Sequence, residues 1–493
     1  MSFAKNFKGL SGIKPMLNIG CLHDIPTGTY VLGKNGESIL IGGVPHIEGV
    51  IGRGNTNKST LTKFRITRIL DRYGAPDINM EPFPNYATAM EYDTENSSSI
   101  KRIESLSKLS SPRLVENLGI DQTGNTITYF KNPNHYLFTD NTEQNGTEWF
   151  STWKGTLNAW ADDKKLLIDT PIVDPLTGET MKIKPISLTA VDSLSRFRSA
   201  SVDKIIDNAD VGESGRNVEA LRDAMAKSQL LNELPALTAR AGAYIVMTGH
   251  VGDNMQMDPM APPMKKLAFL KQSLKIKHVP EPFTFLTNAL WMVNSTSPLI
   301  NQSTKAPEFP RNSDDDLRGD TDLLEMSAML LRCKSGPSGI PIDFVISQSE
   351  GLHPGLSEFL YIRKYDRFGL EGNVQNYQLS LVPDVNMSRT TIRKKIAENK
   401  NVERALEITS ELCQMTNLWH HLPDGLLCSP KQLYEDLKAR GYDWNVLLAT
   451  RGYWVPDQYN HPVPYLSTMD LLNMRAGTYV PFWMSKEDAA KLK

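Results

Sequence analysis

The stretch Gly52-Arg53-Gly54-Asn55-Thr56-Asn57-Lys58-Ser59-Thr60 decides how this chain is read. Gly52, Lys58 and Ser59 have the spacing of a phosphate-binding loop, G-x-x-x-x-G-K-[ST], with Asn57 where the last glycine belongs. Such a loop works because backbone N–H groups at a helix N-terminus point at an anion, a lysine ammonium bridges phosphates and a hydroxyl holds Mg²⁺. Gly52 and Gly54 supply backbone freedom, and asparagine enters the left-handed region more readily than most residues. A Gly/Asn-rich surface turn before a helix is the bland alternative. The flanks favour the loop: "IEGVIG" (47–52) reads as an apolar strand, and "KSTLTKFRITRILDRY" (58–73) spaces Ile66, Ile69, Leu70 and Tyr73 along one helix face.

Further apolar strands are expected at "ESILIGG", "ATAMEYD" (87–93), "ISLTAVD" (186–192) and "AYIVMTG" (243–249). Between the last two lies the helical pattern "NVEALRDAMAKSQLLNELPALTARAG", expected to break once at Pro235. Strands alternating with helices imply an α/β fold with a mostly parallel sheet, and such sheets bind ligands at the carboxyl ends of their strands. Three of those ends carry suitable chemistry. Asp192 could orient the water shell of a metal, Glu95 could polarise an attacking water, and His250 could contact a γ-phosphate. A helix cap, a solvated loop charge and a core-edge imidazole are the respective structural alternatives.

The chain has 493 residues, which favours more than one domain. Residues 113–185 look irregular and partly helical, with Trp149, Trp153 and Trp160 as anchors. From about 360 the character changes again, with a helical "SRTTIRKKIAENKNVERALEITSELC" and a tail rich in Trp, Tyr and Pro. The expected division is an N-terminal arm at 1–25, usable for oligomerisation, an α/β core at 26–355 and a C-terminal mixed accessory domain at 356–493. Cys21, Cys333, Cys413 and Cys428 form no metal-ligand spacing and are expected as free thiols. No apolar run approaches about 18 residues, and "MSFAKNFKGL" has no signal-peptide core, so no membrane association and a cytoplasmic location are expected. A net charge of -2 confines any nucleic-acid binding to a local basic surface.

The ordered set of motifs resembles the RecA family of recombination ATPases over roughly 26–352. "IPTGTYVLGKNGESILIGGVPHIEGVIGRGNTNKSTL" is similar to the family's entry segment and phosphate loop, "YDTEN" to its D-x-E strand end, and "AVDSLS" to its Walker B strand. "LLRCKSGPSGIPIDFVISQSEGL" resembles its closing strands. The phage UvsX branch is nearest, since its loop also departs from glycine before the lysine and its third motif carries histidine, as in "TGH". Gly249, the long 113–185 insertion and the C-terminal residues depart from the family pattern.

The resemblance implies a RecA-type sheet flanked by helices that binds ATP and Mg²⁺. Residues 52–60 would cradle the phosphates, Lys58 would sit on the β/γ-phosphates, and Ser59 and Asp192 would hold the metal. Glu95 would activate water and His250 would sense the γ-phosphate. Two DNA-facing segments would follow Asp192 and His250, the first carrying Arg196, Arg198 and Arg216, the second Lys265, Lys266, Phe269, Lys271, Lys275 and Lys277. Basic residues with an interleaved aromatic suit single-stranded DNA. A solvated amphipathic helix at "KKLAFLKQSLKIK" is the alternative for the second. The implied function is an ATP-dependent recombinase that assembles on single-stranded DNA as a filament, pairs homologous strands and meets replication or recombination proteins, in the host cytoplasm if phage-encoded. The alternatives are a ring-forming helicase of the DnaB kind and a nucleotide-binding structural or regulatory protein without turnover.

Overall fold

The structure is a computed structural model describing residues 13–24, 27–74, 87–98, 102–103, 105, 115–120, 126–130, 136–200, 216–254, 267–418, 422–423 and 425–492. Of residues 21, 115–120, 126–130 and 216–220 it describes the backbone alone. The apolar anchors expected in the N-terminal arm, Phe3, Phe7 and Leu10, lie outside the described residues, as do Lys265 and Lys266. The chain divides into two compact units, one holding 45–167 and 184–357, the other the residues up to 44, 168–183 and 358–493.

The first unit is built on one sheet of ten strands: β1 (Ile47–Gly52), β2 (Ala87–Asp93), β3 (Tyr136–Asp140), β4 (Ile186–Asp192), β5 (Ala243–Asp253), β6 (Leu274–Lys277), β7 (Ala289–Pro298), β8 (Leu323–Cys333), β9 (Ile340–Ser347) and β10 (Gly351–Leu352). Its order is β10-β9-β8-β7-β1-β5-β4-β2-β3, with β6 paired to β5. The six strands from β7 to β3 are parallel, whereas β8, β9, β10 and β6 are added antiparallel. The near-continuous apolar sequences of β1, β4 and β5 follow from this position, because a central parallel strand is covered on both faces.

Side-chain alternation assigns the two faces. Ile47 and Ile51 of β1, Tyr92 of β2 and Val191 of β4 join a core with Trp149, Trp153 and Leu157 of helix α2 (Gly146–Asp162) and Leu230, Leu231, Leu234 and Leu237 of α3 (Arg216–Ala241). Glu48 and Glu91, one position away, point to the other face and meet helix α1 (Lys58–Tyr73). The expected amphipathic α1 is instead buried almost all round, including Lys63 and Arg65, each of which is paired.

Two further expectations are corrected. α3 runs unbroken through Pro235, since the leucines on both sides of it are buried and their packing outweighs the ~3 kcal/mol cost of an interior proline. The 113–185 segment is more regular than its composition suggests, holding antiparallel pairs at 115–120 with 126–130 and at 168–173 with 180–183, besides β3 and α2.

The second unit mixes antiparallel strands at 370–373, 376–379 and 382–387 with helices that include 400–418, 430–439 and 468–476. The described part of the N-terminal segment is tied into it: Glu37 is buried and accepts from Gln458 Nε2 (3.0 Å) and Tyr459 OH (2.7 Å), while Ser38 N donates to Asp470 (2.7 Å). Cys333, Cys413 and Cys428 are free thiols. Among the described residues no helix is long and apolar enough to cross a membrane.

Candidate functional site

The 52–60 loop lies between the end of β1 and the start of α1. Asn57 has φ 60° and ψ 29°, the left-handed conformation a glycine would take, and its side chain makes no cap hydrogen bond. Asn55 is left-handed as well, at φ 60°. Gly52 is required by close approach: a Cβ there would come within 2.9 Å of Val293 O on β7. Arg53 O gathers the loop, accepting from Thr56 Oγ1 (2.8 Å) and Lys58 Nζ (2.7 Å). Burial lowers the Lys58 pKa, against the opposing pull of Asp192 and Glu95. Gly54 is open, Ser59 is half-buried at the first turn of α1, and Arg53 pairs with Asp253 at the surface.

Sheet register brings the other groups to the same edge. Gly52 is level with His250, and Asp192 with Asp93. β5 stands between β1 and β4, so the His250 strand separates the loop from Asp192. Asp192 is buried, and its Oδ1 accepts from Thr248 Oγ1 at 2.6 Å. Thr94 Oγ1 donates to Ser193 O and accepts from Ser193 N, both at 2.8 Å, which ties the ends of β2 and β4 together. Asp93 organises the next turn by accepting from the backbone N–H of Glu95 (2.8 Å), Ser97 (3.0 Å) and Ser98 (2.7 Å).

That turn presents Glu95 to His250. Glu95 Oε1 is 2.8 Å from His250 Nε2, accepts from Ser193 Oγ at 2.9 Å, and lies 3.9 Å from Arg196 Nε. The His250 hydrogen bond is the main reason its pKa falls to about 2, in spite of partial burial. The structure therefore brings Lys58, Ser59, Asp192, Glu95 and His250 to one edge of the sheet, as their strand ends suggested. Sequence reasoning named Asp93 only as the D of the D-x-E strand end, and missed Thr94, Thr248 and the buried pair Lys63–Glu91. A glutamate inside the apolar "ATAMEYD" and a lysine on the covered face of α1 were the available signals.

The expected anion-facing segments are partly described. Arg196 and Arg198 are exposed, whereas Phe197 between them is buried against Tyr92 and Trp149. Arg216 opens α3, its side chain lying outside the described residues. The second segment forms no helix in its described part: 267–273 is a series of turns and 274–277 is β6, antiparallel to β5. Lys271 and Lys275 are exposed, Phe269 is 48% exposed with its ring against Gly339, and the Lys277 stem covers Gly252. Ser195 joins the two segments, its hydroxyl accepting from His250 N (2.9 Å) and donating to Lys277 O (3.0 Å). Buried Lys227 of α3 reinforces this by donating to Ser195 O (3.2 Å) and His278 O (3.0 Å).

Among the described residues no group of three or more His, Cys, Asp or Glu could hold a metal unaided. The Ser59 hydroxyl and Asp192 carboxylate are hard oxygen donors that suit Mg²⁺ when phosphate oxygens complete its shell. Comparison with protein-family models returns no matching family, and comparison with curated proteins returns no relative.

Proposed function

We propose that this chain is a RecA-type ATPase that assembles on single-stranded DNA and uses ATP to control that assembly and homologous pairing. The observation carrying the reading is the meeting of Glu95 and His250 beside a helix-opening loop whose Asn57 keeps a glycine conformation. The order β3-β2-β4-β5-β1, with one strand between the loop strand and the Asp192 strand, supports it.

In this reading the α1 N-terminus and Lys58 bind the phosphates, and Ser59 and Asp192 would hold Mg²⁺, which would supply positive charge to the phosphate oxygens when bound. Lys58 leaves Arg53 O to do so. Glu95 orients the water through Oε2, since His250 and Ser193 both engage Oε1. Arg196, Arg198, Lys271 and Lys275 would contact the DNA backbone, and Ser195 and Lys227 tie those segments to His250.

The test is nucleotide binding and DNA-stimulated hydrolysis, with electron microscopy of the protein on single-stranded DNA. Lys58→Ala should weaken ATP binding at least tenfold, as expected when a charge-assisted hydrogen bond of roughly 1.5–3 kcal/mol is removed. Glu95→Gln should keep ATP bound and slow hydrolysis roughly 10²- to 10⁴-fold. Filaments with homologous pairing support the recombinase; closed rings that unwind a forked duplex would favour a helicase instead, and binding without any turnover a regulatory protein.

A further inference from the structure

Lys63 is not used by any step above, yet its ammonium is almost completely buried at the centre of the site's support. Nζ donates to Glu91 Oε1 on β2 and to Ser98 Oγ on the Glu95 turn, both at 2.7 Å, and lies 4.0 Å from Asp192 Oδ2 on β4. Glu91 is fixed in turn by a hydrogen bond from Tyr136 OH of β3. Three elements thus converge on one charge, and β3 reaches it through Glu91. Burial alone would lower the ammonium's pKa; Glu91, Asp192 and Asp93 more than reverse this, so it stays charged.

Its place on α1 gives the charge a use. Lys63 follows Ser59 by four residues, so the two side chains rise from the same helix face one turn apart. Asp192 stands opposite Lys63, with Oδ1 held by Thr248 and Oδ2 facing the ammonium. Ser98, which Lys63 also grips, belongs to the turn that Asp93 organises around Glu95.

On the reading proposed above, on which this rests, we propose that Lys63 is a positioning residue: its ammonium fixes Asp192 and the Glu95 turn relative to Ser59, and so sets the site's affinity for Mg²⁺. A partner that orients a metal-ligating carboxylate commonly controls metal affinity by roughly tenfold to a hundredfold.

The experiment is a calorimetric titration of Mg²⁺ into the full chain saturated with a non-hydrolysable ATP analogue, comparing wild type, Lys63→Met and Lys63→Met/Glu91→Gln. The double variant removes the unpaired buried carboxylate that could unfold the single one, and keeps an acceptor for Tyr136. Both should bind Mg²⁺ roughly tenfold or more weakly, while analogue binding in EDTA stays at the wild-type level. Wild-type Mg²⁺ affinity in a folded double variant overturns the proposal and reduces Lys63–Glu91 to a structural pair, leaving the ATPase reading intact. Wild-type protein that binds neither analogue nor Mg²⁺ overturns both.

Discussion

Glu95 Oε1 lies 2.8 Å from His250 Nε2, a bond that joins the turn after β2 to the strand beside the one that leads into the 52–60 loop. In the proposed reading it puts the carboxylate that would activate water next to a group level with Gly52. His250→Ala should let the Glu95 pKa rise from about 2 toward the ordinary 4.5, read by NMR titration against Glu95→Gln. A depressed carboxylate stabilises the fold above about 4.5, and this is lost as pH falls toward 2, so the stability gap between wild type and variant should narrow over that window. A gap constant with pH would show that the bond does not depress the Glu95 pKa.

Asn57 tests the altered loop. Because its φ is 60° and its side chain makes no cap hydrogen bond, Asn57→Gly should preserve ATP binding, with stability changed by no more than about 1 kcal/mol. Asn57→Ala meets the left-handed penalty and should lose roughly 1 kcal/mol, measured by urea unfolding. Loss of ATP affinity in the glycine variant would mean that the amide itself touches the nucleotide.

Lys271, just before β6, and Lys275, within it, are exposed and in the proposed reading should act through phosphates. The double alanine variant should weaken single-strand binding across sequences and reduce the slope of log affinity against log salt by roughly 0.7 for each phosphate no longer neutralised. Fluorescence anisotropy between low and high salt reads this directly; an unchanged slope would move the DNA path elsewhere.

In the second unit Glu411 is half-buried, and desolvation, then Glu407, raise its pKa, although Arg404 and the Thr468 hydroxyl oppose this. A raised carboxylate contributes stability below its ordinary 4.5 that is lost as pH climbs through the folded value. Glu411→Gln should therefore gain stability relative to wild type as pH rises, seen as a widening difference in thermal midpoints. Parallel curves would assign the burial cost to another group.

The chain's local chemistry determined a good deal of this on its own. Apolar runs ending in Gly52, Asp93, Asp192 and Gly249 name four strands of the sheet, because a central parallel strand must be apolar on both faces and its polar end must leave the core. Glycine and asparagine before Lys58 name the loop, since few other residues adopt its backbone. Tertiary structure alone decided the rest. Pro235 stays helical because the leucines on either side of it pack into one core with β1, far away in sequence, and the 168–183 pair joins the C-terminal unit through packing that no local pattern encodes. The same holds at the site: that Glu95 meets His250, and that Lys63 lies between Glu91 and Asp192, depends on strand order and register, which are fixed by the packing of all the strands together.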